Sequence, residues 1–310
     1  MKDVKPILLT GSHRSGSSWV GRLLAEAPGV GLLYEPFNLE PHIRRRNGCK
    51  VRFPYWYTYV CEENQDQYLK GLSETLAFHY HFAAQCDSVS SLKDMGRLLR
   101  DFTYITSCRL ARRRPLMKDP IAALSAEWLA NSFDMQVIIL VRHPAAFVGS
   151  LLIRNWHHPF HHFLEQPLLM ERYLNKYRGE LEDIVRSSRD IVDQGALLWT
   201  MLYDVLSTYI DRNPDWIVVR HEDLSMQPLE GFRKLYTALG LAYSGESEKL
   251  IAAHSLDPRP VKRGLPKAFQ RDSRANTTTW KVRLTPADVI RVRKRVEPVA
   301  VRYYEDEDWD

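Results

Sequence analysis

The sequence predicts an α/β fold, with three α/β/α layers built around a central parallel sheet of about five strands. Three observations carry this expectation. Short aliphatic runs alternate with longer segments of helical periodicity, the pattern of strands joined by crossover helices. The run Val137 to Val141 is apolar at every position, as befits a strand covered on both faces. Residues suited to ligand chemistry follow the strand-like runs, at the carboxyl edge where open parallel sheets bind their ligands.

In chain order, strands are expected at 6–10, 31–35, 114–118, 136–141 and 215–220. Helices are expected at 17–27, 65–85, 91–107, 121–132, 144–154, 178–212, 228–239 and 287–302. The first strand is the run Ile7-Leu8-Leu9, and Trp19, Val20, Leu23 and Leu24 then recur at helical spacing. No repeat, low-complexity tract or linker divides the 310 residues, which read as one domain, 1–310.

The loop between the first strand and helix is the most informative segment. Gly11, four residues, then Gly16 followed by Ser17 and Ser18 match the spacing of a phosphate-binding loop, but Ser17 stands where a lysine would reach the β- and γ-phosphates. The loop is therefore expected to hold an anion other than a triphosphate. Glycines let the backbone approach, the N–H groups of Ser15 to Ser18 face the ligand, and the helix dipole lies behind them. Arg14 supplies the missing charge through a fork of donors that suits phosphate or sulfate. A Gly/Ser turn capping an ordinary helix would give the same pattern. A second constellation follows Val141: Arg142-His143-Pro144, with Ser150 eight residues after the arginine. A charge-assisted arginine contact is there joined by a hydroxyl a little over two helical turns away. The plainer reading is a helix with Pro144 in its first turn and an arginine at its mouth.

His13-Arg14-Ser15-Gly16-Ser17-Ser18-Trp19 resembles the 5′-phosphosulfate loop of sulfotransferases that use 3′-phosphoadenosine 5′-phosphosulfate (PAPS). The arginine, followed by a strand ending in Tyr34-Glu35-Pro36, is most similar to the carbohydrate sulfotransferase branch, whereas the cytosolic aryl and steroid branch carries lysine at that position. The resemblance implies a P-loop nucleotide-hydrolase-like fold. It also implies that Arg142 and Ser150 bind the 3′-phosphate, and that Arg14, Ser15, Gly16, Ser17, Ser18 and Trp19 hold the 5′ side of the nucleotide. His221, in Arg220-His221-Glu222-Asp223, occupies an aromatic position that meets adenine, with a solvent-facing loop residue as the equal alternative. Trp280 and Lys281 fall in a segment that closes over the 3′-phosphate. Segments 40–110 and 155–210 are then helical insertions on the acceptor side.

The chemistry implied is in-line transfer of a sulfuryl group to an acceptor hydroxyl, releasing adenosine 3′,5′-bisphosphate (PAP). Positioning and electrostatic stabilisation dominate such a reaction, and no metal is expected. Arg14 would stabilise the leaving phosphate, and Lys118 resembles the strand-end lysine that neutralises the transferring group. Glu35 is the first candidate for general base, near the phosphate loop if its strand adjoins the first one, and Asp119 is the second. Structural roles remain open for both, Glu35 as a helix cap or arginine partner and Asp119 as a helix N-cap.

Two other classes stand against this reading. A P-loop kinase or nucleotide triphosphatase would need the absent lysine and a Mg²⁺-binding aspartate after a hydrophobic strand. A non-catalytic protein binding nucleotides or sulfated glycans would keep Arg14, Arg142 and Ser150 without needing Glu35 or Lys118.

Composition agrees with an ordinary globular enzyme: 45% hydrophobic, 26% charged and a net charge of +5. Arg44-Arg45-Arg46 and Arg112-Arg113-Arg114 form basic clusters with no nucleic-acid motif beside them. The first lies in an aromatic-rich segment, a setting for an acidic or glycan acceptor. A lipid or polyketide acceptor would also use such aromatics. Nothing specifies an oligomeric state. Cys49, Cys61, Cys86 and Cys108 lie far apart and read as reduced. The histidines between His157 and His162 have helical spacing, but Pro159 interrupts it, and they read as a polar, aromatic surface over the acceptor cleft rather than a metal site. There is no apolar run of about eighteen residues and no small-residue cleavage site near Met1, so the chain reads as cytoplasmic. Animal carbohydrate sulfotransferases carry an N-terminal Golgi anchor, so its absence favours a bacterial enzyme or a trimmed chain.

Overall fold

The computed structural model describes residues 4–187, 190–256 and 273–310. Strands β1 (Ile7–Gly11), β2 (Val30–Tyr34), β3 (Arg114–Lys118), β4 (Gln136–Val141) and β5 (Ile217–Arg220) form one sheet in the order β2-β3-β1-β4-β5. Every pairing is parallel, as expected of strands joined by helical crossovers.

Helix α1 (Ser17–Ala25) follows β1, and α2 (Pro41–Arg44), α3 (Asp66–Leu76) and α4 (Leu92–Leu110) separate β2 from β3. Helix α5 (Ala126–Phe133) precedes β4. Helices α6 (Pro144–Leu152), α7 (His161–Leu164), α8 (Pro167–Leu169), α9 (Arg178–Arg186) and α10 (Ile191–Arg212) lead to β5. After β5 come α11 (His221–Met226), α12 (Pro228–Ala238), α13 (Gly245–Ser255) and α14 (Pro286–Ala300).

Alternation along the strands divides the core into two layers. Leu8, Val137, Ile139 and Val141 face one side, packed with Phe147 of α6, Trp199 of α10 and Val292 of α14. Leu9, Ile138 and Leu140 face the other, with Val20 and Leu24 of α1 and Phe232 of α12. A strand covered on both faces must be apolar throughout, which is why β4 reads as a continuous aliphatic run. At the β2 edge, the Leu32 N–H donates to the Tyr104 hydroxyl of α4 at 2.9 Å, occupying a backbone group that an edge strand leaves unpaired.

Three helix boundaries differ from expectation. The helix predicted over 65–85 stops at Leu76, because Phe78 turns into the left-handed region at φ 56°. Its buried ring packs against Gly31, where a Cβ would come within 2.6 Å of it. The helix predicted over 178–212 is two helices. α9 ends at Arg186, and α10 begins anew with the Asp190 carboxylate accepting the Asp193 N–H at 2.9 Å. The segment predicted over 121–132 opens as a tighter 3₁₀ turn over Pro120–Ser125 before α5. The four cysteines are unpaired. Among the described residues, no helix is long and apolar enough to cross a membrane.

His143 links the end of β4 to the C-terminal segment. Its ring stacks on Trp280 at 5.3 Å and meets Tyr304 and Trp309 at 4.9 and 4.5 Å, and neither ring nitrogen has a hydrogen-bond partner. Burial, partly opposed by the Glu222 carboxylate, holds its pKa down at about 4. The unfolded chain therefore takes up this proton first, near pH 6.5, and the folded protein loses stability as the pH falls from there toward 4. Replacing His143 by Phe keeps the stacking and removes this dependence. Between pH 7 and pH 4 the parent is expected to lose about 3 kcal/mol relative to His143→Phe, measured by urea denaturation of both proteins.

Candidate functional site

Parallel register brings the strand ends together on one edge. Gly11 pairs with Leu140, so the loop after β1 lies beside Arg142 after β4. Leu9 and Tyr34 both pair with Lys118, so the end of β3 stands between β1 and β2. A cavity of about 740 Å³ opens over this edge, walled by Arg14, Ser18, Glu35, Arg142, Ser150 and His221 among others. Position at the carboxyl ends of parallel strands is where such folds bind ligands.

The loop after β1 is shaped by backbone that favours glycine. Gly16 has φ 93°, and a Cβ there would lie 2.4 Å from the His221 ring. Arg14 adopts φ 64° without being glycine. The loop is tied down by two tyrosines. The Ser12 N–H donates to the Tyr203 hydroxyl at 3.3 Å, and that hydroxyl donates to the Leu140 carbonyl at 2.9 Å. The His13 N–H donates to the Tyr57 hydroxyl, which also lies 2.6 Å from His13 Nδ1. Burial, with the charge of Arg14, lowers the His13 pKa to about 3, so its ring is neutral at pH 7.

The two sequence motifs meet at Arg14. Its Nε donates to the Ser150 hydroxyl at 3.0 Å, and Arg142 Nη1 donates to the Arg14 carbonyl at 2.5 Å. Arg142 is buried, its backbone carbonyl accepting the Trp199 indole N–H at 2.9 Å. Burial pulls its pKa down while the Glu222 carboxylate opposes that. Burial alone would raise Glu222, but its contacts with His221 and the neighbouring positive groups bring it to about 2. Glu222 also accepts the His143 N–H at 3.1 Å and the Tyr304 hydroxyl at 3.0 Å.

At the other end of the cavity Glu35 caps β2 in a left-handed turn, φ 52°, with its N–H donating to the Lys118 carbonyl at 2.9 Å. The Lys118 ammonium pairs with one Glu35 oxygen, and the Asn38 side-chain amide donates to the other at 2.6 Å. Lys118 is only 1% exposed, and its ammonium lies 3.8 Å from the centre of the Tyr34 ring. β2 does not adjoin β1, as the expectation for Glu35 assumed. β3 lies between them, and Glu35 still reaches the cavity that the loop lines.

Asp119 is placed differently. Fully buried, it is spent on backbone: one oxygen accepts the Phe37 N–H at 2.7 Å and the other accepts the Ile121 N–H at 3.0 Å. Burial and the Glu35 charge push its carboxyl up to about 7 against those two bonds. It is absent from the cavity wall and serves as the N-cap of the 3₁₀ turn. Trp280 and Lys281 also stand outside the cavity. Trp280 stacks on His143, and Lys281 donates to the Asp310 carbonyl. The basic residue this segment contributes to the wall is Arg283. His221 lines the wall next to Trp19, the two rings 5.8 Å apart and edge to face.

The structure also gives roles to residues that the sequence reading passed over or, for Tyr34 and Glu222, named without one. Tyr34 hydrogen-bonds Ser18 across the cavity at 3.1 Å, and Asn38, Tyr57, Tyr203 and Glu222 position the groups named above. The Glu-Pro turn was the available signal for Asn38, three residues after Glu35. The histidines from His157 to His162 do not converge: His157 meets Gln194, His162 accepts the Trp56 N–H, and His158 packs on Phe163. Among the described residues, no group of three or more His, Cys, Asp or Glu side chains could hold a metal ion.

The wall carries Arg14, Arg22, Arg46, Arg142, Arg154 and Arg283 against the carboxylates of Glu35 and Glu40. Around it, Trp19 Nε1, Arg142 Nε and the Ser15 hydroxyl are buried without partners. Buried donors left unpaired cost about 1–3 kcal/mol each, so the cavity is built for a ligand rich in oxygen acceptors.

The model of the family described as "Sulfotransferase family" matches residues 6–245. No curated protein matches the chain. Among solved structures, the sulfotransferase domain from the curacin biosynthetic pathway is similar at 14% identity and TM-score 0.47, covering 94% of this chain and 97% of that one. The sulfotransferase domain from the Synechococcus PCC 7002 olefin synthase is similar at 17% identity and TM-score 0.47, covering 98% and 97%. A mouse sulfotransferase complexed with PAP shows 12% identity and TM-score 0.44, covering 98% and 86%. With the family model matching across most of its length, from β1 to the start of α13, the chain belongs to the sulfotransferase family.

Proposed function

We propose that this chain, acting as one domain, moves the sulfuryl group of PAPS to a hydroxyl of a carbohydrate or glycoconjugate. The observation that carries this reading is the meeting of two arginines and a serine at one end of a cavity whose other end holds a carboxylate paired with a buried lysine. One end suits the two phosphates of the donor and the other suits proton removal from an acceptor. The carbohydrate acceptor rests on the Arg14 loop and the Tyr34-Glu35-Pro36 turn.

In this mechanism Arg142 and Ser150 hold the 3′-phosphate, while Arg14 and the first N–H groups of α1 hold the 5′-phosphosulfate. Trp19 and His221 offer ring faces to the adenine. The acceptor oxygen attacks sulfur in line as the bond from sulfur to the 5′-phosphate oxygen breaks. Glu35 receives the hydroxyl proton, and the electron pair leaves on the phosphate, where Arg14 meets the new charge. Lys118 keeps a positive charge next to the reacting centre.

PAP at about a hundred times its dissociation constant is expected to stabilise the protein by about 2.7 kcal/mol, measured by thermal unfolding, with Mg-ATP and Mg-GTP at equal concentration giving less. Arg142→Ala should abolish the effect. A response to Mg-ATP alone would reject the donor assignment in favour of a kinase. Glu35→Gln is expected to lower kcat about 10²–10⁴-fold while leaving PAP affinity unchanged, measured with radiolabelled PAPS and an acceptor found by screening. Unchanged turnover would remove Glu35 as the base.

A further inference from the structure

The arginine run at residues 44–46 is split by the fold. Arg44 and Arg45 are buried and ion-paired, Arg44 with Asp87 at 2.8 Å, and Arg45 with Asp101 at 3.5 Å and Asp94 at 3.7 Å. They hold the segment after β2 against α4 and the turn before it. Arg46 instead lines the cavity, and among the described residues no carboxylate lies within 4.0 Å of it.

Arg46 is held by an aromatic ring. Its guanidinium carbon lies 3.8 Å from the centre of the Tyr34 ring, the same distance as the Lys118 ammonium. Arg46 and Lys118 thus both rest against the Tyr34 ring. A guanidinium resting on a ring uses its face and keeps its N–H donors at the edge, ready for a carboxylate, phosphate or sulfate. Arg22 lines the same wall, one helical turn beyond Ser18, and burial together with the nearby Arg46 charge lowers its pKa. Glu40 and His42, also on this wall, lie 3.7 Å apart and face one another. Two guanidiniums brought together repel, and an anion between them offsets that cost.

The position of Arg46 separates it from Arg14, Arg142 and Ser150, and its link to the phosphate loop runs only through Tyr34, whose hydroxyl hydrogen-bonds Ser18. Arg14, Ser150 and Arg142 cluster where β1 meets β4, whereas Arg46 stands on Tyr34 at the end of β2, with β3 between. We propose that Arg46 binds an oxyanion carried by the acceptor, so that the substrate is already a carboxylate, phosphate or sulfate ester before its hydroxyl is sulfated. This rests on the sulfuryl-transfer reading above, and it makes Arg46 the residue that selects charged acceptors over neutral ones.

The test is calorimetric titration of the PAP-saturated protein with inorganic sulfate, inorganic phosphate and glucuronate, with glucose as the uncharged control. At least one oxyanion is expected to bind where glucose does not, and the strongest of the three identifies the group the acceptor carries. Arg46→Gln should weaken that binding at least tenfold and Arg46→Lys less, with PAP affinity the same in all three proteins. Equal affinity for oxyanion and glucose, or oxyanion binding that survives Arg46→Gln, overturns the proposal. So does a matching loss of PAP affinity, which would assign Arg46 to the donor. Should Arg46→Gln not fold, oxyanion binding as strong in Arg46→Lys as in the parent overturns it equally. Failure of PAP to bind the parent removes the donor reading together with this one, whereas PAP binding without oxyanion binding removes this one alone.

Discussion

An ammonium group withdrawn from water is tolerated only where opposite charge and polarisable surface replace its hydration. Lys118, at the end of a central strand, receives both from β2, the Glu35 carboxylate and the Tyr34 ring. Much of the cavity is arranged around that requirement. The lysine stem runs past α1 at Gly21, where a Cβ would come within 2.7 Å of it, so the helix behind the phosphate loop is fitted to the lysine. The turn after β2 is fitted to it as well, since the left-handed Glu35 donates its N–H to the Lys118 carbonyl while Asn38 closes on the second carboxylate oxygen. Carboxylate, ammonium and loop helix are therefore one mechanical unit, held by short-range contacts among three elements.

The other half of the cavity is held by hydrogen bonds that converge on buried backbone. Tyr203, from the long helix α10, reaches the loop after β1 and the end of β4 through one hydroxyl. Trp199, one turn earlier on the same helix, holds the Arg142 carbonyl. Glu222 joins this half to the C-terminal segment through Tyr304 and the His143 backbone. These supports rigidify the arginines before any ligand arrives, which lowers the ordering cost of binding. Donors left without partners at Trp19 and Arg142 are the counterpart, since their stabilisation comes only with an acceptor in the cavity.

Much of this was legible in local pattern. All five strands appear where apolar runs predicted them, and in β1 and β4 burial on both faces is what demands unbroken apolar sequence. Gly16 reads as a residue that lets the backbone approach an anion, and the structure gives it a positive φ and a histidine ring where a side chain would stand. Helix ends were less legible. The stop after Leu76 depends on Phe78 taking a left-handed conformation to bury its ring against Gly31, a contact between residues far apart in the chain. Asp119 shows the same limit within the site: its sequence position suited a base, and only packing reveals that it lies off the cavity wall with its oxygens on backbone N–H groups.

By itself, then, the sequence determined the α/β class, the strand set, and the two motifs whose residue types suit an anion, because these depend on periodicity and on chemistry carried within a few residues. Tertiary structure decided how those parts combine. It placed β3 between β1 and β2, so that Glu35 reaches the cavity paired with Lys118. It gave three consecutive arginines two kinds of surroundings, ion pairs for Arg44 and Arg45 and an aromatic ring for Arg46. It turned Trp280 and Lys281 away from the cavity and put Arg283 on its wall. Each of these outcomes rests on which distant side chain occupies the adjoining space, and that information enters only when the chain has folded.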